Sequence, residues 1–360
     1  MTNVLSDFVV RPIAPDDANA LMALAAALGP GMTTLPADRD VLQRKAECAA
    51  ASFRGQGGDE AQYLLGLCER SAPQRVLGVA GIYPNVGARY GFFSYRVGSL
   101  IQRSRLSDRA ARLQVLSIDN GYTGATEVGS LAVHPSLRGR GAGKLLAKAR
   151  YLLIAAAPER FGSRIMAEMR GWQDDGGRSP FWDAVGRKFF DVDFALADRL
   201  SAVEGAAYFA DLWPKLPIYS ALLPDDARRS IGRAHSASQS ALDMLASEGF
   251  VFEDMIDLFD AGPQVSADVA DIVTIRASQC ASIAELPEAT ALVSTNTLSD
   301  FRVWVGPARD AGAPLRLARA DCVRSVSWIQ VRAQTAPPRR CSRDDRVPSK
   351  AGCRQEPMAW

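Results

Sequence analysis

An α/β (α+β) fold built on a mixed sheet is what the sequence predicts, and two observations carry that expectation. Residues 127–157 read strand, glycine-rich turn and amphipathic helix without interruption. Short β-branched runs also recur on both sides of this unit with helical stripes between them, as in a domain of packed layers. The strand of the unit, 127–133, mixes β-branched and apolar residues. His134-Pro135 ends it, because proline has no N–H to donate and restricts the residue before it. The turn is Arg138-Gly139-Arg140-Gly141-Ala142-Gly143, after which Leu145, Leu146, Ala149, Leu152, Leu153 and Ala156 recur at helical spacing.

The remaining elements follow in chain order. Residues 8–12 read as a strand. Asp16 or Asp17 is placed to cap a helix with a stripe of Leu21, Met22, Leu24, Ala25 and Leu28, stopped by Gly29 and Pro30. Pro36, near a first-turn position, opens a second helix carrying Val41, Leu42, Lys45, Ala46 and Ala49. Residues 63–68 and 75–83 read as paired strands turned by Ala72-Pro73-Gln74, and residues 90–100 as another strand. After the long helix, 165–169 read as a strand, and Ser179-Pro180 start a short helix ending near Gly186. Residues 206–249 read as helical, broken at Pro214, Pro217 and Pro224, with Ser236 or Ser238 capping a helix through Leu242, Met244 and Leu245. Residues 250–259 return to strand, and 271–276, 291–293 and 301–305 read as short pieces of a small β domain. The expected division is therefore 1–255, 256–320 and a tail, 321–360, that lacks periodicity and is expected to be disordered or aberrant.

Composition narrows the classes. Forty-two basic residues stand against 40 acidic ones, so no basic face for nucleic acid is expected. Lys148 and Arg150 interrupt the longest apolar run, so no membrane span is expected, and residues 1–12 lack the pattern of a signal peptide. A cytoplasmic location is expected accordingly. The six cysteines form no C-x-x-C and no zinc-ligand spacing, so no metal is expected.

The glycine turn is a phosphate site by its chemistry: glycines at the mouth of a helix let backbone N–H groups close on an anion that the helix dipole also favours. It is not a Walker A loop, since Gly143-Lys144 is followed by Leu145 and the magnesium-binding hydroxyl is missing. Nor is it a dinucleotide fingerprint, since the glycine spacing differs and no acid is well placed after it. Arg138, Gly141 and Gly143 instead form Arg-x-x-Gly-x-Gly, which resembles the pyrophosphate turn of the GNAT superfamily of N-acyltransferases.

Longer words sharpen the resemblance. Tyr95-Arg96-Val97-Gly98, Ala167-Glu168-Met169-Arg170-Gly171, Ser179-Pro180-Phe181-Trp182, Gly232-Arg233-Ala234-His235 and the run from Asp257 to Pro263 occur in order. Together they resemble the arginine N-succinyltransferase family, a GNAT branch with an added C-terminal β-barrel-like domain, over roughly residues 8–305; the closing strands of that domain are not recognisable here. The resemblance implies transfer of a succinyl group from succinyl-CoA, a co-substrate and not a resident cofactor, to the α-amino group of L-arginine. Close relatives act on ornithine. A homo-oligomer, or a hetero-oligomer with a paralogue, is implied as well. It further implies that His235 is the catalytic proton donor and that the backbone of Leu131 contacts succinyl-CoA. A non-catalytic protein that binds CoA or an amino acid is the competing expectation.

Amine attack on a thioester needs alignment, a proton acceptor, an oxyanion donor and help for the leaving thiolate. Arg138, Gly139, Gly141 and Gly143 are the candidates for holding CoA, and backbone N–H groups near Leu131 to Val133 for the oxyanion. Glu127, at the start of the same strand, is the candidate to take the amine proton through water. Succinyl-CoA differs from acetyl-CoA by a terminal carboxylate, so a donor-selective site calls for a guanidinium, and Arg96 and Arg170 are the candidates. Glu168, Asp260 and Asp183 are the alternatives for meeting the guanidinium of the acceptor.

Overall fold

The computed structural model describes residues 4–29, 34–107, 109–204, 213–282, 291–306 and 322–327. Its first strands divide their side chains by simple alternation. Val10, Leu65 and Ala80 turn to one face, and Val9, Leu64 and Val79 to the other. These residues lie on β1 (Phe8–Pro12), β2 (Tyr63–Glu69) and β3 (Ala72–Tyr83). Both faces being apolar, both must be covered. Helices α1 (Ala18–Leu28) and α2 (Arg39–Phe53) cover one with Leu21, Leu24, Leu42 and Ala46. The long helix α3 (Ala142–Ala156) covers the other with Leu145, Leu146, Ala149 and Leu153.

β3 leads on one side to β6 (Thr126–Val133), and α3 then crosses over to β7 (Arg164–Glu168). The sheet continues through β10 (Pro263–Asp268), β9 (Val251–Ile256), β4 (Ser94–Arg103), β5 (Ala110–Asp119) and the two-residue β8 (Ile218–Tyr219). Tyr95, Phe181, Trp182, Trp213 and Ile256 form a second core on this half, with Trp182 stacked on Phe190 and on Phe259. Phe181 and Trp182 come from α4 (Pro180–Ala184), Phe190 from α5 (Arg187–Phe190), and Phe194 and Ala197 from α6 (Phe194–Glu204), while α7 (Asp225–Ser230) packs against α4. Two further helices, α8 (Gln239–Ser247) and α9 (Val273–Ala277), follow later in the chain. Two of the strands expected in a small C-terminal β domain, at 291–293 and 301–305, are hydrogen-bonded into this same sheet. They are β12 (Ala291–Thr295) and β13 (Val303–Gly306); β13 pairs with β1, and β14 (Cys322–Ser327) and β11 (Gln279–Ser282), not among those expected, follow outward of β12.

Several local expectations are corrected. α2 is capped by Asp38, whose carboxylate accepts the N–H groups of Asp40 and Val41 at 3.0 Å, and not opened by Pro36. Asp17 precedes α1 without capping it, because Arg11 and the Ala14 N–H occupy its carboxylate. Ala72-Pro73-Gln74 belong to β3, and the turn falls at residues 70–71. Residues 271–276 are not strand: Glu248 accepts the Thr274 N–H at 2.8 Å and starts α9, which no signal local to those residues reveals. In the stretch expected to be helical, 205–212 lie outside the described residues, and Ile218–Tyr219 pair with β5. Of the tail 321–360, residues 322–327 form β14 between β11 and β12, and the others lie outside the described residues.

Candidate active site

The sheet parts in the middle. β6 and β7 run parallel and pair only at Thr126 with Ile165 and Glu127 with Met166. Beyond those positions β6 stays on β3 and β7 stays on β10, so the two strands separate toward their C-terminal ends. A bulge in β6 promotes the parting. Between Gly129 opposite Gly81 and Ala132 opposite Val79, three steps of β6 answer two of β3. An extra residue of this kind bends a strand and increases its twist. Ser130 takes the strained position, with φ 50°, and its hydroxyl lies 2.5 Å from the Tyr83 hydroxyl.

The opening is a cleft of about 1220 Å³. Val128 to Leu131 form one wall and Ala167 to Arg170 the other, with α2, α3, α6 and α8 closing the sides. Several of its ionisable groups fall into two clusters. At the α2–α3 side stand Lys45, Arg150 and Glu127. Burial pushes the Glu127 carboxyl up to about 7, although the charges of Lys45 and Arg150 oppose this. Burial likewise lowers the Lys45 ammonium, with Glu127 acting against it. At the far side stand Glu168, Asp198, Asp257 and Asp260, with Arg170 among them. Burial raises Glu168 well above its ordinary value, and the charges of Asp257 and Glu127 add to that, while Gln264 Nε2 donates to it at 2.6 Å. Asp198 is raised to about 6, chiefly by burial, with Arg170 holding it down.

Two of these acids are already engaged. Asp260 accepts the N–H groups of Gly171 and Gly262 at 2.7 and 2.9 Å, and Asp257 those of Phe259 and Asp260 at 2.7 and 2.9 Å. They shape the loop between β9 and β10. Asp198, and the Glu168 oxygen not bonded to Gln264, are left to meet a cation.

The turn after β6 lies at the N-terminus of α3. Gly139 and Gly141 have φ of 72° and 86°, values that favour glycine. No side chain caps α3, so the amides of its first turn have no partner from within the helix. Arg138 and Arg140 stand exposed beside them. Gly143 is glycine without internal need: a Cβ there would make only ordinary contact with Val133 at 3.8 Å. Its bareness leaves room for something outside the chain.

Comparison with known proteins is decisive at this point. The family described as AstA, arginine N-succinyltransferase beta subunit, matches residues 8–274. The chain belongs to the arginine N-succinyltransferase family. The Arginine N-succinyltransferase subunit beta of Pseudomonas aeruginosa is 39% identical over 334 residues, covering 88% of this chain and 97% of that one. The Arginine N-succinyltransferase of Escherichia coli O139:H28 is 34% identical over 331 residues, covering 90% and 96%. Among solved structures, arginine/ornithine succinyltransferase subunit AI from Pseudomonas aeruginosa superposes with a TM-score of 0.78 at 31% identity, covering 89% of this chain and 99% of that one.

Within this family member the predicted residues are distributed unevenly. Glu127, Leu131 and Arg170 line the cleft, while Val133 packs toward α3. His235 sits beside the cleft: its N–H donates to the Arg170 carbonyl at 2.8 Å, and nearby Ser238 lines the wall. Its Nδ1 accepts the Ala237 N–H at 3.1 Å, which leaves Nε2 as the nitrogen free to carry a proton. Burial lowers the His235 pKa, and Arg170 lowers it further. Arg96 is not brought to the site; on β4 it donates to Asp119 of β5 at 2.7 Å. Asp183 is also elsewhere, paired with Arg178 and Arg187 at 3.1 and 3.4 Å. The sequence reading missed Lys45, Arg150 and Asp198. The available signal was a charge within an apolar helical stripe, which Lys45 and Arg150 both show.

Proposed function

We infer that this chain is an N-acyltransferase that moves the succinyl group of succinyl-CoA to the α-amino group of L-arginine. The observation that carries the reading is the parted β6–β7 pair, with an uncapped glycine turn beyond β6 and an acidic wall on the β7 side. Arg138 and the backbone at Gly139, Gly141 and Gly143 hold the pyrophosphate. The rest of the donor then runs back along β6, where N–H groups near Leu131 and Val133 receive the thioester oxygen as it gains charge. The acceptor enters from the acidic side, its guanidinium toward Glu168 and Asp198 and its α-carboxylate on Arg170. Glu127 takes the proton of the attacking amine through water, and His235 donates from Nε2 to the departing thiolate. Arg96, tied to Asp119, is left out of this scheme.

Ornithine is the second acceptor to consider, because its ammonium also suits an acidic wall and one relative's description names both amino acids. The test is thiol release from succinyl-CoA by the purified chain, with arginine and ornithine compared by kcat/KM. Arginine is expected to be preferred. Folded protein that binds CoA yet releases no thiol with either acceptor refutes catalysis and leaves a binding protein. The word subunit in relatives' names motivates assembly with a second copy or a paralogue, which a mass measurement in solution checks. No helix among the described residues is long and apolar enough to cross a membrane, and we place the activity in the cytoplasm.

A further inference from the structure

The cationic side of the cleft has no counterpart in the chemistry assigned so far. Arg150 is 3% exposed on α3 and yet lines the cleft. Its Nη1 donates to the Gly129 carbonyl at 3.3 Å and its Nε to the Ala147 carbonyl at 3.5 Å. Among the described residues its Nη2 has no hydrogen-bond partner, and no carboxylate lies within ion-pair distance. Lys45, reaching in from α2 on the opposite face of the sheet, likewise has neither a hydrogen-bond partner for Nζ nor an ion pair. A buried guanidinium without a counter-charge is costly to keep. Glu127 alone cannot neutralise both cations.

We propose that Arg150, assisted by Lys45, binds the distal carboxylate of the donor's acyl group and so selects dicarboxylic acyl-CoA over monocarboxylic. The assignment rests on the succinyl-transfer reading above, and dimensions support it. With the phosphates at residues 138–143 and the thioester carbonyl at Leu131, the acyl chain points back along β6 toward Glu127. Three carbon–carbon bonds carry the distal carboxylate of succinyl about 4 Å beyond the carbonyl, and a strand advances about 3.3 Å per residue. The carboxylate therefore reaches the level of Ser130 or Gly129, and the Gly129 carbonyl is where the Arg150 guanidinium is anchored. The cleft then sorts its substrates by charge: the donor's anion to Arg150 and Lys45, the acceptor's cation to Glu168 and Asp198.

The test compares succinyl-CoA with butyryl-CoA, which has the same number of acyl carbons and no distal carboxylate, in the wild type, Arg150→Gln and Lys45→Met. Wild type is expected to favour succinyl-CoA by at least about 100-fold in kcat/KM with arginine as acceptor. Compared on the alkaline plateau of each protein's pH profile, where Glu127 is ionised, Arg150→Gln should lower succinyl transfer about 100-fold and leave butyryl transfer within about threefold, while the affinity for free CoA stays the same. Lys45→Met should do likewise at about tenfold, and it decides the matter if Arg150→Gln does not fold. Retention of the wild-type donor ratio, or equal loss with both donors, overturns the proposal. Should the wild type transfer no acyl group at all, the succinyl-transfer reading fails. Equilibrium binding of succinyl-CoA and butyryl-CoA to the same proteins then still decides the role of Arg150: a preference that Arg150→Gln abolishes supports it, and its absence in the wild type refutes it.

Discussion

Replacing Glu127 by glutamine should slow the enzyme and stabilise it at the same time. The carboxyl is raised from 4.5 to about 7 by burial, beyond what Lys45 and Arg150 restore. At about 1.36 kcal/mol per pKa unit, holding it ionised in the folded protein costs up to about 3 kcal/mol. The sign follows from linkage: a carboxyl whose folded pKa is raised favours the folded state fully below about 4.5, and that contribution is lost as pH rises through about 7. Glutamine keeps the shape and never ionises. Glu127→Gln should therefore gain up to about 3 kcal/mol over wild type in urea unfolding at pH 8, with almost no difference at pH 4. Activity should move the other way. As the proton acceptor, wild-type Glu127 makes kcat/KM fall about tenfold per pH unit below about 7, and the glutamine variant should be slower by about 10²–10⁴ and lack that limb. Thiol release followed from pH 5.5 to 8.5, beside urea melts at the two pH values, measures both. A variant that keeps the wild-type acid limb, or that is less stable at pH 8, would refute the reasoning.

Other perturbations probe separate parts. Glu248 accepts from Lys148 Nζ and from the N–H and hydroxyl of Thr274, both at 2.8 Å, with Lys148 and Glu248 each 3% exposed. Glu248→Gln should cost about 3–5 kcal/mol by leaving a buried ammonium unpaired, and adding Lys148→Met should recover most of it; a urea midpoint unmoved by the single change would show that the pair holds nothing. His235→Ala should lower kcat at least about tenfold and leave CoA affinity intact, and full turnover in that variant would remove His235 from the mechanism. Arg138→Ala should instead weaken CoA binding by about tenfold, with a shallower dependence on salt than wild type; unchanged affinity at low salt would move the phosphate site elsewhere.

What could be read from the sequence was what neighbouring residues decide between themselves. The strand at Glu127, the turn at Gly141 and the helix after it form within thirty residues, and the structure places them as expected. What failed depended on partners far along the chain. β5 carries the alternating pieces Leu113-Gln114-Val115 and Leu116-Ser117-Ile118 but buries only Leu116, and its Asp119, more than twenty residues from Arg96, is the residue that holds Arg96 away from the cleft. The start of α9 is specified by Glu248, more than twenty residues earlier. Asp183 is the exception, since the arginines that occupy it, Arg178 and Arg187, lie within five residues of it. Arg150 was visible as an interruption of an apolar run, but only the parting of β6 from β7 gives that interruption a use.

The two paired positions where β6 and β7 still meet have a consequence for how acyl chains of different length are told apart. Below Gly129 the gap is closed by paired main chain at Glu127 and Met166, with the Glu127 side chain lying in the cleft above it. Each added methylene lengthens a donor by about 1.25 Å along the strand, so chains much longer than succinyl meet Glu127 and then backbone. Such a gauge resists retuning: shortening Glu127 gains the depth of one side chain, and any further length requires opening the sheet itself.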